Sequence, residues 1–379
     1  MDKRRVWGVK ACFSKSTFQI FTRVIGLGAA IAAPEKGGGQ CVEGCPFFKE
    51  LRLEPYSSRG KMIIARGLAE GVVKPSRELL NAVAACTTCG YCMYKCALQN
   101  VDVIIALRAE LVRLGYTDPE HERAAKMIAN FGNPYSKSLR RFLRLPRGGE
   151  TLFFAGCSYA QYLPEKLDKI GEVLSRVGGV GWFGPDEPCC GNLLLASGQI
   201  DAFVTYGEQV LGKFKEAGVK RIVTACPGCH ETFSKEYPKF FDFELEVEHL
   251  TRFLAGSVDE GRLLPRGLNA RVAFHDPCHL ARFSRIIDEP RFIIENVAGV
   301  VMVELKHNKL NTICCGGGGG APIVHPRLTA KIADRRISEA IEADVEFLVT
   351  SCPLCEHMLS RSAKRMKTPI QILDIAELF

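Results

Sequence analysis

Phe347-Leu348-Val349-Thr350-Ser351-Cys352-Pro353-Leu354-Cys355 is a short apolar run ending in a C-P-x-C group, and Arg221-Ile222-Val223-Thr224-Ala225-Cys226-Pro227-Gly228-Cys229 has the same form. Working outward, the helical stretches 200–217 and 328–343 precede these two segments, and Cys189-Cys190-Gly191 and Cys314-Cys315-Gly316 precede those. Further upstream, Leu152-Phe153-Phe154-Ala155-Gly156 runs into Cys157, as Val272-Ala273-Phe274 runs through His275-Asp276-Pro277 into Cys278. Short apolar runs bounded by turn residues read as buried strands. Strands alternating with helices read as α/β units, and a match at every step reads as internal duplication. The expected fold class is therefore α/β: a mostly helical N-terminal region, then two tandem α/β cysteine-rich domains at 150–265 and 266–379. Their cysteines fall at the carboxyl ends of strands, where open α/β sheets place their sites.

Each repeat carries five cysteines: Cys157, Cys189, Cys190, Cys226 and Cys229 in the first, and Cys278, Cys314, Cys315, Cys352 and Cys355 in the second. A structural zinc or a cubane takes four thiolates, so one cysteine is surplus in each set. Consecutive side chains diverge in extended chain, so the Cys-Cys pairs suit different irons of one cluster better than one tetrahedral ion. Gly191 and Gly316 to Gly320 let backbone approach a cluster and offer it N–H groups. Structural zinc sites or free thiols are the bland alternative.

Upstream, Cys86-x-x-Cys89-x-x-Cys92-x-x-x-Cys96 is a ferredoxin-type run, whose last cysteine ordinarily serves the other cluster of a two-cluster domain. The partner motif retains Cys41 and Cys45-Pro46 but has Glu35 and Gly38 where two further cysteines belong. Cys45, Cys86, Cys89 and Cys92 therefore make one [4Fe-4S] cubane. Cys41 and Cys96 alone support a second poorly, so one cubane is expected rather than two. Cys12 stands outside any ligand spacing.

The repeat pattern resembles the cysteine-rich domain named for its Cys-Cys-Gly signature, present twice as in the catalytic subunit of heterodisulfide reductase, and the fusion order resembles the single-chain form of that subunit. The resemblance implies a noncubane [4Fe-4S] cluster in each five-cysteine set and cleavage of a disulfide between them. It further implies electrons from a flavoprotein or a membrane b-type cytochrome, a small-molecule disulfide or thiol substrate, and a hetero-oligomeric complex. Iron-sulfur proteins of glycolate and lactate oxidation carry related motifs but commonly lack one cysteine of the last pair, whereas both pairs are intact here. The alternative function is an electron relay for a flavin dehydrogenase or quinone-linked membrane complex, without a disulfide of its own. His275 and His279 flank Cys278 and are candidate proton donors for the departing thiolates, since histidine titrates in the right range. Arg282, Arg285 and Arg291 invite an anion-binding reading; plain surface placement is the alternative.

The remaining features bound the function class. The chain has 379 residues, 17 cysteines in tight groups and a net charge of +8, which suits metal ligation in a reducing compartment and argues for no nucleic-acid partner. Residues 1–40 form a basic and apolar arm whose unbroken apolar part, 24–33, is too short to span a bilayer. It reads as a docking or interfacial arm, with a buried helix or a cleaved signal as alternatives, so the protein is expected in the cytoplasm, peripheral on the membrane face. The helical ferredoxin-type domain covers 41–131, with Pro75 in the first turn of one helix, and 132–149 reads as a solvated basic linker.

Overall fold

The computed structural model describes residues 39–96, 99–135 and 143–379. The apolar arm, Cys12, Arg140 and Arg141 lie outside the described residues.

The described part of 40–131 is helical. Helix α1 (Ser58–Ala69) starts at Ser57, whose hydroxyl accepts from Gly60 N–H. Helix α2 (Arg77–Ala84) starts beyond Pro75, because Ser76 accepts from Leu79 N–H and takes the cap position itself. Helices α3 (Asn100–Arg113) and α4 (Pro119–Phe131) follow. Met62, Leu79, Val83, Ile104, Leu107 and Leu111 of α1 to α3 make one apolar core.

The first repeat contains β1 (Thr151–Phe154), α5 (Cys157–Tyr162), α6 (Pro164–Val177), β2 (Gly181–Trp182), α7 (Ile200–Glu216), β3 (Arg221–Thr224), α8 (Pro227–Glu231), β4 (Glu246–His249) and α9 (Leu250–Asp259). The second contains β5 (Ala270–Phe274), β6 (Val300–Met302), α10 (Pro326–Glu342), β7 (Phe347–Thr350), α11 (Pro353–Met366) and β8 (Gln371–Asp374). Both sheets are parallel, in the orders β2-β1-β3-β4 and β6-β5-β7-β8. The strand order reverses beside β1 and β5, so the crevice beyond the carboxyl ends of β1 and β3, and of β5 and β7, is where such sheets bind ligands. The apolar interiors of β1, β3 and β7 are buried, as strands covered on both faces require.

The repeats share one core, in which Phe153, Tyr159 and Leu254 meet Phe274, Ile293, Ile375 and Phe379. Their packing is reciprocal: α5 lies on α11, and α8 lies on the turn His279–Ser284. The segment that follows the first cysteine of each repeat thus packs on the C-P-x-C helix of the other. The stretch expected as a solvated linker departs from that reading near its end. Leu143 and Leu145 are buried in the shared core, Trp182 N–H donates to Pro146 O, and Gly148 N–H donates to Trp182 O. Two apolar side chains set among the basic residues give this segment a buried face, while Arg144 and Arg147 stay exposed.

Candidate metal centre

The five cysteines of each repeat converge in the same order. In the first, Cys157 Sγ lies 3.6 Å from Cys189 Sγ, Cys190 hydrogen-bonds to Cys189 and Cys229, and Cys229 to Cys226. In the second, Cys278 meets Cys314, Cys314 meets Cys315, Cys355 Sγ lies 3.1 Å from Cys315 Sγ, and Cys355 meets Cys352. All ten are buried, and no disulfide joins them. Main-chain N–H groups of Gly191, Gly316 and Gly317 donate to Cys189, Cys314 and Cys315 sulfurs at 3.3 to 3.4 Å. Hydrogen bonds from Cys189 and Cys229 pull Cys190 down to about 6, and those from Cys314 and Cys355 pull Cys315 down to about 5. Five buried sulfurs in contact can all ionise only around a metal.

The ferredoxin-type cysteines Cys45, Cys86, Cys89 and Cys92 line a single cavity, with Lys61 on its wall. Burial pushes Cys45 up to about 11 and Cys92 up to about 12. Lys61 Nζ donates to Tyr56 O at 2.9 Å, and Arg108 donates to the carbonyls of Val83, Ala84, Cys86, Ala196 and Gly319 at 2.5 to 3.2 Å. Among the described residues neither pairs with a carboxylate, so two buried cations await a negative group, and an anionic cluster on these thiolates fits them. Cys41 and Cys96 are only half-buried, and Cys96 adds to burial in raising Cys41.

This site abuts the second repeat. Cys89 hydrogen-bonds to Cys314, and Arg282 donates to Cys89 O at 2.8 Å, to Leu310 O at 2.9 Å and to Thr312 O. The approach needs glycine: a Cβ on Gly319, at φ +64°, would stand 2.5 Å from Cys86 O. Arg282 and Arg291 are therefore neither surface groups nor anion receptors. The first is consumed by carbonyls, and the second is locked on Asp276 at 2.9 Å and on Glu304. Arg285 alone of the three is exposed.

The histidines separate by environment. His279 Nδ1 pairs with the Glu231 carboxylate on α8; burial opposes its charging, but Glu231 pushes the imidazole up to about 9. Its charge is felt by Cys226 of the first repeat, and it feels Cys314 and Cys89, so it stands among all three cysteine groups. His275 is buried and receives Arg336 Nε on Nδ1 at 2.9 Å. A ring nitrogen of His275 and the sulfurs of Cys315 and Cys355 lie within 4.8 Å of one another, while among the described residues His275 Nε2 and Arg336 Nη2 have no partner. Two orphaned donors in this buried network also fit a sulfide-bearing group. His230 bonds Ser284 Oγ at 2.8 Å, and His357 stacks on Tyr162. Sequence reasoning passed over Glu231, Arg336, Lys61 and Arg108. Only Glu231, two residues past Cys229, carried a positional signal.

Comparison with known proteins follows the same division. The family model described as cysteine-rich domain matches residues 151–234 and 272–360, and the 4Fe-4S dicluster domain matches 37–100. The chain is 28% identical to the D subunit of dihydromethanophenazine:CoB–CoM heterodisulfide reductase from Methanosarcina barkeri, over 90% of this chain and 91% of that one. It is 29% identical to the B subunit of fumarate reductase (CoM/CoB) from Methanothermobacter marburgensis, over 89% of this chain and 70% of that one. A crystal structure of a hypothetical protein from Helicobacter pylori shares the fold, with TM-score 0.53 and 12% identity over 95% of this chain and 75% of that one. With a dicluster domain, two cysteine-rich domains and end-to-end similarity to the Methanosarcina protein, the chain belongs to the iron-sulfur oxidoreductases of the heterodisulfide reductase family, in their single-chain form.

Proposed function

We propose that the chain reduces, or in reverse forms, a small-molecule disulfide in the gap between its two repeats, taking electrons at the ferredoxin-type site from a redox partner protein. A flavoprotein or a membrane b-type cytochrome has the chemistry for that partner. Cys45, Cys86, Cys89 and Cys92 hold a [4Fe-4S] cubane, and each five-cysteine set holds a noncubane [4Fe-4S] cluster; Cys41 and Cys96 stay outside. When bound, these clusters supply single electrons and iron able to accept a thiolate sulfur. The repeats act as domains over 150–265 and 266–379.

The observation that carries this reading is the Glu231–His279 pair. It joins the C-P-x-C helix of the first repeat to the segment that follows the first cysteine of the second, and sets His279 where it acts on Cys226 of one set and Cys314 of the other. Cleaving a disulfide by two electrons leaves two thiolates, which need two protons. His279, held through Nδ1 by Glu231, keeps a proton at that gap.

Cys190→Ser and Cys315→Ser, each made in the full chain and reconstituted without oxygen, test the reading. The wild type should hold about twelve irons, and each variant about eight with disulfide turnover abolished. Turnover surviving the loss of either set would overturn it.

A further inference from the structure

Behind the two cysteine sets the repeats differ. Thr151 pairs with Arg221 and Val272 with Phe347, each partner standing five residues before its C-P-x-C group, so His275 occupies the place of Phe154. Helices α7 and α10 end at Glu216 and Glu342, which sets Arg336 in the place of Val210. In the first repeat Phe154 packs edge-on against Phe214 and Phe233 in an apolar core that includes Val210. In the second, Arg336 is fully buried, donates to His275 Nδ1 at 2.9 Å and to His307 O at 2.8 Å, and pairs with Glu339.

A histidine that ligates iron through one nitrogen ordinarily donates from the other. Here the guanidinium donates to Nδ1, so the neutral ring carries its proton on Nε2 and has no lone pair there for a metal. Among the described residues that N–H and Arg336 Nη2 have no partner, one nitrogen of the ring lies within 4.8 Å of the Cys315 and Cys355 sulfurs, and the guanidinium feels the Cys355 thiolate.

We infer that His275, positioned by Arg336, donates a hydrogen bond to sulfur of the iron-sulfur group held by the second repeat, and that the pair makes that group easier to reduce than its counterpart in the first. Adding one electron breaks no bond and raises negative charge on the sulfurs, which N–H donors and a buried guanidinium stabilise. Phe154 and Val210 offer no such donor. The ferredoxin-type site abuts the second repeat through Cys89 and Cys314, so an electron would pass first to the more oxidising of the two. This inference rests on the assignment of one cluster to each repeat.

The test is a redox titration followed by electron paramagnetic resonance on the reconstituted full chain, with the second-repeat signal identified as the one lost in Cys315→Ser. His275→Phe should lower the midpoint of that signal, leave the first-repeat signal and the iron content unchanged, and be largely reversed in His275→Gln, whose amide restores a donor. No shift, or an equal shift in both signals, would overturn the inference. Should His275→Phe not fold, wild-type protein labelled with nitrogen-15 histidine serves instead. Weak coupling with an exchangeable proton is expected, and the strong coupling of a ligated nitrogen would refute donation. Iron confined to the ferredoxin-type site in the wild type would instead remove the cluster assignment, and the inference with it.

Discussion

The first and second repeats have the same strand order and the same chain of five sulfurs, yet everything behind those sulfurs differs: aromatic rings in one, a buried His275–Arg336–Glu339 network in the other. The sulfur geometry follows from the backbone, since strand ends and helix starts deliver the cysteines. The environment that sets their chemistry follows from side chains packed against the far side of the same strands. Duplication has preserved the cradle and left its backing free to diverge, which lets two like clusters differ in what they do.

Arg108 offers the strongest way to break the comparison, because it spans both repeats through Ala196 O and Gly319 O while holding Cys86 O. Arg108→Met should cost about 3–5 kcal/mol, because buried carbonyl oxygens at about 1–3 kcal/mol each lose their donor while the desolvation of the guanidinium is relieved, with Arg108→Lys recovering little. Anaerobic urea denaturation measures it. A loss below about 1 kcal/mol would show that the repeats stay joined without the guanidinium.

A smaller effect distinguishes the repeats by pH. His249 and Asp374 end β4 and β8 and cap the next turn, accepting from Thr251 N–H and Ala376 N–H respectively. Burial drives His249 well below its ordinary value, so the folded ring stays neutral while the unfolded chain takes up a proton below about pH 6.5. Its contribution is whole above that pH and is lost on acidification, by about 2 kcal/mol at pH 5. Asp374 has the opposite sign. Burial raises it to about 6, so the folded chain keeps a proton that the unfolded chain has released, and stability declines as pH rises from about 4 to about 6. His249→Asn, which keeps an acceptor at the cap, should reduce the loss between pH 7 and pH 5 in urea titrations by about 2 kcal/mol, leaving the share of His230 and His275, which burial also lowers; an undiminished loss would assign it to those other groups.

The smallest effect is expected at the strand entrances. Glu150 and Lys220 pair at the head of the first sheet, and Arg271 and Glu346 occupy the matching places in the second with the signs exchanged. Glu150 and Lys220 are both about 70% exposed, so exchanging them in a Glu150→Lys, Lys220→Glu double variant should change stability by less than about 0.5 kcal/mol. A larger change in thermal melting would show that the polarity of this entrance matters to register.

The duplication, the strands and the cysteine groupings could be read from the chain because each is a local pattern, an apolar run, a spacing or a glycine, repeated in order. Leu143 and Leu145 misled because their burial depends on the core formed by the two repeats, whereas the basic residues around them signal solvent. Arg336 gave no local sign: on α10 it is one cation among Arg327, Lys331 and Arg335, and only tertiary packing sets it against His275. Arg108 and Lys61 were hidden for the same reason, since long basic side chains on a helix ordinarily end in water. His279 was named from its neighbour Cys278, but its partner Glu231 comes from the other repeat, and sequence order does not say which histidine a carboxylate will meet.

Arg108 and Arg282 grip main-chain oxygens almost exclusively, and this bears on how the junction can change over descent. A carbonyl is supplied by any amino acid, so the grip itself sets no side-chain identity at 83, 84, 196 and 310, where burial at the first three is the remaining constraint, while the arginines are fixed. Correlated substitution would then leave no trace of one of the most connected points in the molecule. Exchanging such partners between distant relatives should disturb this joint less than it disturbs contacts made between side chains.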